Sequence, residues 1–370
     1  MNTITEYLNW RGDLTFADSP FNEVDAGILA RFSYEPFDGI VTSNFRDKIT
    51  LKQACDGLLN TPNLNDDVLN VDRDFDFIRL VSSSRRFSDV KISGYVNDID
   101  EDRQIQFSAC VFDLDGEENY FVAFRGTDNT IIGWKEDFNM GFEFPVPAQK
   151  KALDFFENAV AAFKDGTFMI GGHSKGGNLA VYAGTFCSGK FKNSITDIYN
   201  FDGPGFTEQI INTDEFKSVE SKIHTFVPVF SVVGMILEHL ENYAVVPSCE
   251  TGIMQHEILS WEAGPNSFVH EKEVNKGSRF IDKTFKDWLS GLDKEQREQF
   301  VDTVFNLMMS GDAHTLAQFN SNKIETLNAM VKAYSGLDDT TRKGFLATAK
   351  RLITSAGNVI KADQDNNPGS

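Results

Sequence analysis

At 370 residues the chain is long enough to bury a large core, as one enlarged domain or as two. A hydrophobic fraction of 41% and an aromatic fraction of 12% exclude a disordered chain, and 35 Lys plus Arg against 55 Asp plus Glu leave a net charge of −20. With the basic residues scattered, that acidity argues against nucleic acid and anionic membranes as partners.

The chain starts MNTITEYLNWRGD, without the basic segment and apolar core of a signal peptide. Val24, Ile28, Leu29 and Phe32 share one face of a helix expected over 24–32. Thr50 is an expected N-cap for LKQACDGLL, which ends near Asn60 before Pro62. Residues 1–74 read as a mostly helical N-terminal extension without chemistry of its own.

From about Phe75 the pattern predicts strands: DFDFIRLV, DVKISGYV, IQFSACVFDL and YFVAFRGT, the last two joined by a hairpin at Asp115-Gly116. Pro145 and Pro147 then precede AQKKALDFFENAVAAF, whose Ala152, Phe155, Phe156, Ala159, Val160 and Phe163 form an apolar helical stripe. The next stretch, TFMIGGHSKGGNLAVYA, reads as an apolar strand, a glycine-rich turn holding Ser174, and a helix. Gly172-His173-Ser174-Lys175-Gly176 is G-x-S-x-G in the strand-turn-helix setting that lifts a serine hydroxyl above a sheet edge. Further strands are expected at 195–201, in KIHTFVPVF and in ENYAVVPS, with the glycine-proline loop FDGPGF after the first of them. Strand and helix alternation of this kind builds a mostly parallel sheet flanked by helices, an α/β fold with its core over 75–278. Ligands of such sheets gather beyond the carboxyl ends of the strands.

The longest apolar run, 226–237, is too short and interrupted to span a bilayer, so a soluble cytoplasmic protein is expected. Cys55, Cys110, Cys187 and Cys249 lack metal-site spacing, and neither metal nor cofactor is expected. Residues 279–362 read as helices only, and SGLDKEQREQFVDTVFNLMMS is echoed 45 residues later by SGLDDTTRKGFLATAKRLITS. Asp293 and Asp338 stand where N-caps belong, so the echo predicts two capped amphipathic helices that pack on the main domain or on a partner, self-association being one option. Residues 363–370 are polar and expected to be disordered.

A serine nucleophile needs a base and a carboxylate to orient it, in the chain order Ser, acid, His. His173 lies inside the elbow, His224 starts a strand, His239 falls on an expected helix, EHLENY, and His270 and His314 lie past the last strand in charged or helical surroundings. His256, in the loop after the last expected strand, is the candidate base. Asp202, held by Gly203-Pro204-Gly205 at a strand end, is the first choice of acid unless it merely caps its turn, and Glu238 is the alternative. The oxyanion donors would be the backbone N–H groups of Lys175 and Thr127, while Arg125 reads as structural, paired with a carboxylate such as Asp137.

FRGTD, GWKEDF, GGHSKGGNLA and FDGPGF, in this order, resemble the class 3 lipases and, more closely, an uncharacterised bacterial family of lipase-like α/β-hydrolases, over about residues 104–261. The resemblance implies an α/β-hydrolase fold, Ser174 as nucleophile, His256 in MQHEILSW as base, and Thr127 with Lys175 as oxyanion hole. Those lipases carry an aspartate after the strand that follows FDGPGF, where Ser231 stands here, which moves the acid to Asp202 or leaves the triad incomplete. Lys175 replaces their usual leucine and would make the mouth of the site more polar. The expected activity is hydrolysis of a small-molecule acyl ester, a lipid among the options, with VPVFSVVGMIL as an apolar wall. The alternatives are a non-catalytic hydrolase-like binding or assembly protein, and an acyltransferase or thioesterase using the same site.

Overall fold

The computed structural model describes residues 2–62, 64, 71–100, 105–127, 135, 136, 139, 140, 143–310 and 323–366. They fall into two compact units, one built from Met1–Ile99, Phe107–Gly126 and Ala148–Val274, the other from Asp100–Gln106, Thr127–Pro147 and Asn275–Ser370.

The first unit begins with helices α1 (Ile4–Arg11) and α2 (Glu23–Phe32). Asn22 caps α2 by accepting from the Val24 N–H at 2.9 Å, and Asp25 reaches back to the Asn22 N–H at 2.9 Å. A two-residue strand, β1 (Ile49–Thr50), runs into α3 (Leu51–Leu59), where Thr50 Oγ1 accepts from the Gln53 N–H at 3.2 Å. Helix α4 (Val71–Ser83) follows and contains DFDFIRLV, which corrects the strand expected there. Its buried set is Phe77, Ile78 and Val81, and it packs on α3. The alternation of Phe75 with Phe77 mimics a strand, but the burial follows the helical period.

Strands β2 (Lys91–Asp100), β3 (Ile105–Asp113) and β4 (Asn119–Phe124) come next, then α5 (Pro147–Ala162), β5 (Thr167–His173), α6 (Lys175–Phe186), β6 (Ile195–Phe201), β7 (Ile223–Pro228) and β8 (Tyr243–Val246). The eight strands lie side by side in chain order. The β1/β2 and β3/β4 pairs are antiparallel, and β4 through β8 are parallel, so the sheet is mostly parallel as expected. At the β3–β4 hairpin Asp113 Oδ1 accepts from the Gly116 N–H at 2.9 Å, which ties the longer loop. EHLENY is not helical: Glu238 exchanges backbone bonds with Phe206, and the chain then enters β8.

Helices α2 and α6 both pack on β4, β5 and β6. Nine of the ten residues of α2 are buried, so this helix is part of the core. Within the N-terminal extension, Ile4, Tyr7, Leu8, Ile28, Leu29, Leu51 and Leu58 share one apolar cluster with Phe121, Tyr199, Phe201 and Trp261 of the sheet region. Buried Arg86 ties this region together, with Nε 2.7 Å from Asp25 Oδ1 and Nη1 3.0 Å from the Ser19 carbonyl.

The second unit contains helices α7 (Lys276–Ser290), α8 (Lys294–Met309), α9 (Lys323–Gly336) and α10 (Asp339–Asn366). Asp293 caps α8 through the Gln296 N–H at 2.8 Å, and Asp338 caps α10 through the Thr340 and Thr341 N–H groups at 2.9 and 3.0 Å. The echoed residues Phe300 and Phe345 stack on each other, centroids 5.3 Å apart. Residues 363–366, expected to be disordered, lie within α10, while 367–370 fall outside the described residues. Among the described residues no helix is long and apolar enough to cross a membrane.

Candidate active site

Strand β5 ends at His173, α6 begins at Lys175, and Ser174 makes the turn between them with φ 58° and ψ −133°. A non-glycine residue rarely adopts this conformation, and its cost of about 1–3 kcal/mol must be met by the surrounding packing. The glycines show why the packing holds. A Cβ on Gly176 would lie 2.0 Å from the Phe124 carbonyl oxygen, and one on Gly172 would lie 2.3 Å from the backbone carbon of Gly176. The elbow closes this tightly because both positions lack side chains.

The parallel register pairs His173 of β5 with Phe201 of β6, so the next residues, Ser174 and Asp202, leave adjacent strands at the same level. The Ser174 N–H bonds the Phe201 carbonyl at 2.8 Å, and the Asp202 N–H bonds the Phe226 carbonyl at 2.7 Å. Asp202 is fully buried and sits at φ 51°, a second strained position beside the first. Its Oδ2 lies 2.6 Å from His256 Nδ1, while Oδ1 accepts from Ser231 Oγ at 2.5 Å and from the Gly234 N–H at 3.1 Å. Both oxygens of the buried carboxyl thus have partners, Oδ1 two donors and Oδ2 the His256 ring. Ser231, which stands where the resemblance expects an acid, is therefore a donor to the carboxylate one strand earlier.

His256 closes a 3-10 turn, Gly252–His256, and its ring is partly exposed. The ring centroid is 4.5 Å from that of His173, the residue before Ser174. His173 Nε2 donates to the His256 carbonyl at 2.6 Å, and its Nδ1 is 3.2 Å from the Tyr34 hydroxyl. Burial, and then the neighbouring His256, hold the His173 imidazole well below its ordinary pKa, so it stays neutral. Behind Asp202, His239 bonds Glu241 Oε1 at 3.0 Å and the Gly234 carbonyl at 2.8 Å, which braces the turn that supplies the Gly234 donor.

The structure thus brings His256 to Asp202. Glu238 pairs with Phe206 through its backbone, and its side chain is half-buried. Lys175 departs from expectation: its side chain is fully buried, so it does not line a solvent-facing mouth. Its backbone opens α6, whose positive end favours a developing negative charge. Thr127 follows Gly126 beyond β4 and is half-buried. Arg125 Nη2 donates to Asn97 Oδ1 at 2.9 Å, while Asp137 and His314 lie outside the described residues. His224 bonds Asp197 at 2.8 Å and His270 lies 3.4 Å from Glu23. Sequence reasoning set His173 aside as the elbow residue, and missed Ser231 as a partner of Asp202 and Tyr34 as a partner of His173. Only the elbow itself carried a signal for His173.

Among described residues, no group of three or more His, Cys, Asp or Glu side chains is arranged to hold a metal ion. Of the surface near His256, Ile253 and Met254 are more than half exposed, while Val229, Phe230, Val232, Val233, Met235 and Ile236 of the expected wall are partly covered.

No curated protein matches the sequence. Among solved structures, the Rhizomucor miehei lipase propeptide complex is 16% identical with a TM-score of 0.33, covering 43% of this chain and 57% of that one. The lipase from Rhizopus microsporus var. chinensis is 15% identical, covering 70% and 84% at a TM-score of 0.36, and lipase II from Rhizopus niveus is 15% identical, covering 60% and 80% at 0.34. The chain spans little more than half the length of the first of these. The Mbeg1-like family model matches residues 81–306, more than half of the 370, and the chain belongs to the Mbeg1-like family.

Proposed function

We propose that the protein is a serine hydrolase that cleaves a carboxylic ester, with Ser174 as nucleophile, His256 as the proton carrier and Asp202 as the acid that orients it. The observation that carries this reading is the 2.6 Å bond from His256 Nδ1 to the fully buried Asp202 Oδ2, on a ring packed against the residue preceding a strained serine.

The chemistry follows from where the proton sits. Asp202 is acceptor-only as an anion, so it selects the tautomer with hydrogen on Nδ1 and leaves the Nε2 lone pair for the Ser174 hydroxyl proton. Ser174 Oγ attacks the acyl carbon as its proton passes to Nε2, and the resulting imidazolium is stabilised by the Asp202 charge. The tetrahedral oxyanion takes a hydrogen bond from the Lys175 N–H group at the start of α6, worth about 3–4 kcal/mol in a site of this kind. Collapse breaks the ester C–O bond, the alcohol leaves with the proton from Nε2, and water repeats the sequence to free the carboxylate.

The exposed Ile253 and Met254, three and two residues before the proposed base, favour an apolar acyl group. The test is hydrolysis of p-nitrophenyl esters of increasing chain length by the parent protein and its Ser174→Ala variant. Turnover that Ser174→Ala abolishes, and that rises with chain length, is expected. Equal turnover by both proteins would overturn the proposal.

A further inference from the structure

The end of α2 reaches both halves of the candidate site. The Tyr34 hydroxyl faces two acceptors on His173, Nδ1 at 3.2 Å and the carbonyl oxygen at 3.1 Å, and its one proton serves either. The His256 carbonyl can only accept, so His173 Nε2 carries the proton of that 2.6 Å bond, and the neutral ring leaves Nδ1 as an acceptor facing Tyr34. A chain of contacts thus runs from Tyr34 through the elbow residue to the backbone of His256.

Tyr34 lies in the turn after α2, and a second chain starts three residues earlier, on the helix itself. Arg31 is buried, with Nε 3.3 Å from Glu257 Oε1, Nη1 3.1 Å from Glu35 Oε1, and Nη2 bonded to Asp74. Its guanidinium also lies over the Tyr34 ring, 5.5 Å from the centroid, which joins the two chains. Glu257 follows His256 directly, and its Oε1 accepts from the Leu259 N–H at 3.2 Å, capping the turn Ile258–Ser260. Burying a guanidinium among three acidic side chains is a poor way to gain stability over apolar packing, whereas it fixes direction well.

We propose that the end of α2 is a clamp that sets the register of the histidine loop against the elbow, Tyr34 acting through His173 and Arg31 acting through Glu257. The proposal rests on the reading of Ser174 and His256 as nucleophile and base, and assigns Tyr34, His173, Arg31 and Glu257 as positioning residues. A displacement of the base by about 1 Å is enough to cost up to roughly a hundredfold in rate.

The test uses the full chain with Tyr34→Phe and Glu257→Met, which remove the hydroxyl and the acceptor oxygens of one arm each and keep side-chain length. Progress curves with an alkyl fluorophosphonate separate the maximal rate of Ser174 labelling from the concentration that half-saturates it. Ile78→Val, a buried apolar position of α4 that bonds none of the clamp residues, serves as the comparison for lost stability. The expected result is a fall of about ten- to a hundredfold in maximal rate for both clamp variants, with half-saturation unchanged and Ile78→Val at the parent rate. Parent-like maximal rates in either clamp variant overturn the clamp, as does a fall matched by Ile78→Val at the same loss of melting temperature. A parent protein that is not labelled at all overturns the reading of the site itself.

Discussion

Replacing Asp202 by asparagine tests the acid in a site whose geometry dictates the outcome. The Gly234 N–H, 3.1 Å from Oδ1, can only donate, and Ser231 Oγ already donates to the same atom at 2.5 Å. The asparagine carbonyl must therefore stay on that side, and the amide nitrogen replaces Oδ2, 2.6 Å from His256 Nδ1. An amide nitrogen there is a donor, so it forces the His256 proton onto Nε2, where it blocks acceptance from Ser174. A wrong tautomer of this type lowers kcat by about ten-thousandfold, equivalent to about 5 kcal/mol of lost transition-state stabilisation. Steady-state ester hydrolysis by Asp202→Asn and Glu238→Gln beside the parent measures it, with melting temperature confirming the fold. If Asp202→Asn keeps turnover within about threefold of the parent while Glu238→Gln loses it, the reasoning about Asp202 is refuted.

Ser231→Ala removes one of the two bonds to Asp202 Oδ1, and a loss of about 1–2 kcal/mol predicts roughly a tenfold fall in kcat with the fold retained, read from the same assay. Gly176→Ala drives a Cβ to 2.0 Å from the Phe124 carbonyl oxygen, so urea unfolding is expected to show a loss of at least about 3 kcal/mol. Glu35 predicts a pH dependence of stability. Burial raises its pKa from an ordinary 4.5 to about 8, and among the described residues its Oε2 meets no hydrogen-bond partner. The folded state therefore keeps a proton that the unfolded chain releases: below about 4.5 both states carry it, stability falls as pH rises from about 4.5 to about 8, and the effect is complete above that. Glu35→Gln should flatten that fall when denaturation midpoints are followed from pH 5 to 9.

What could be read from the sequence was local. The elbow is legible because its glycines are demanded by contacts a few residues away, α2 because Val24, Ile28, Leu29 and Phe32 share one helical face, and α3 because Thr50 caps it within one turn. Asp202 is legible as a carboxylate at a strand end, the edge where side chains of parallel sheets meet. What could not be read depends on partners far along the chain. Asp74 meets Arg31 across 43 residues and Tyr34 meets His173 across 139, so residues 1–74 look like an extension until the fold brings them to the site. DFDFIRLV offers both periods at once, and only packing against α3 selects the helix. Lys175 reads as a polar mouth residue on its chemistry alone, while the structure buries its side chain fully.

The central claim is that Ser174 is an activated nucleophile. Incubation of the intact protein with a fluorophosphonate, followed by digestion and mass spectrometry, tests it most directly. The account predicts a single adduct on the peptide carrying Ser174, lost in Ser174→Ala and formed far more slowly in His256→Ala. A parent protein that remains unmodified, or an adduct that persists in Ser174→Ala, contradicts it.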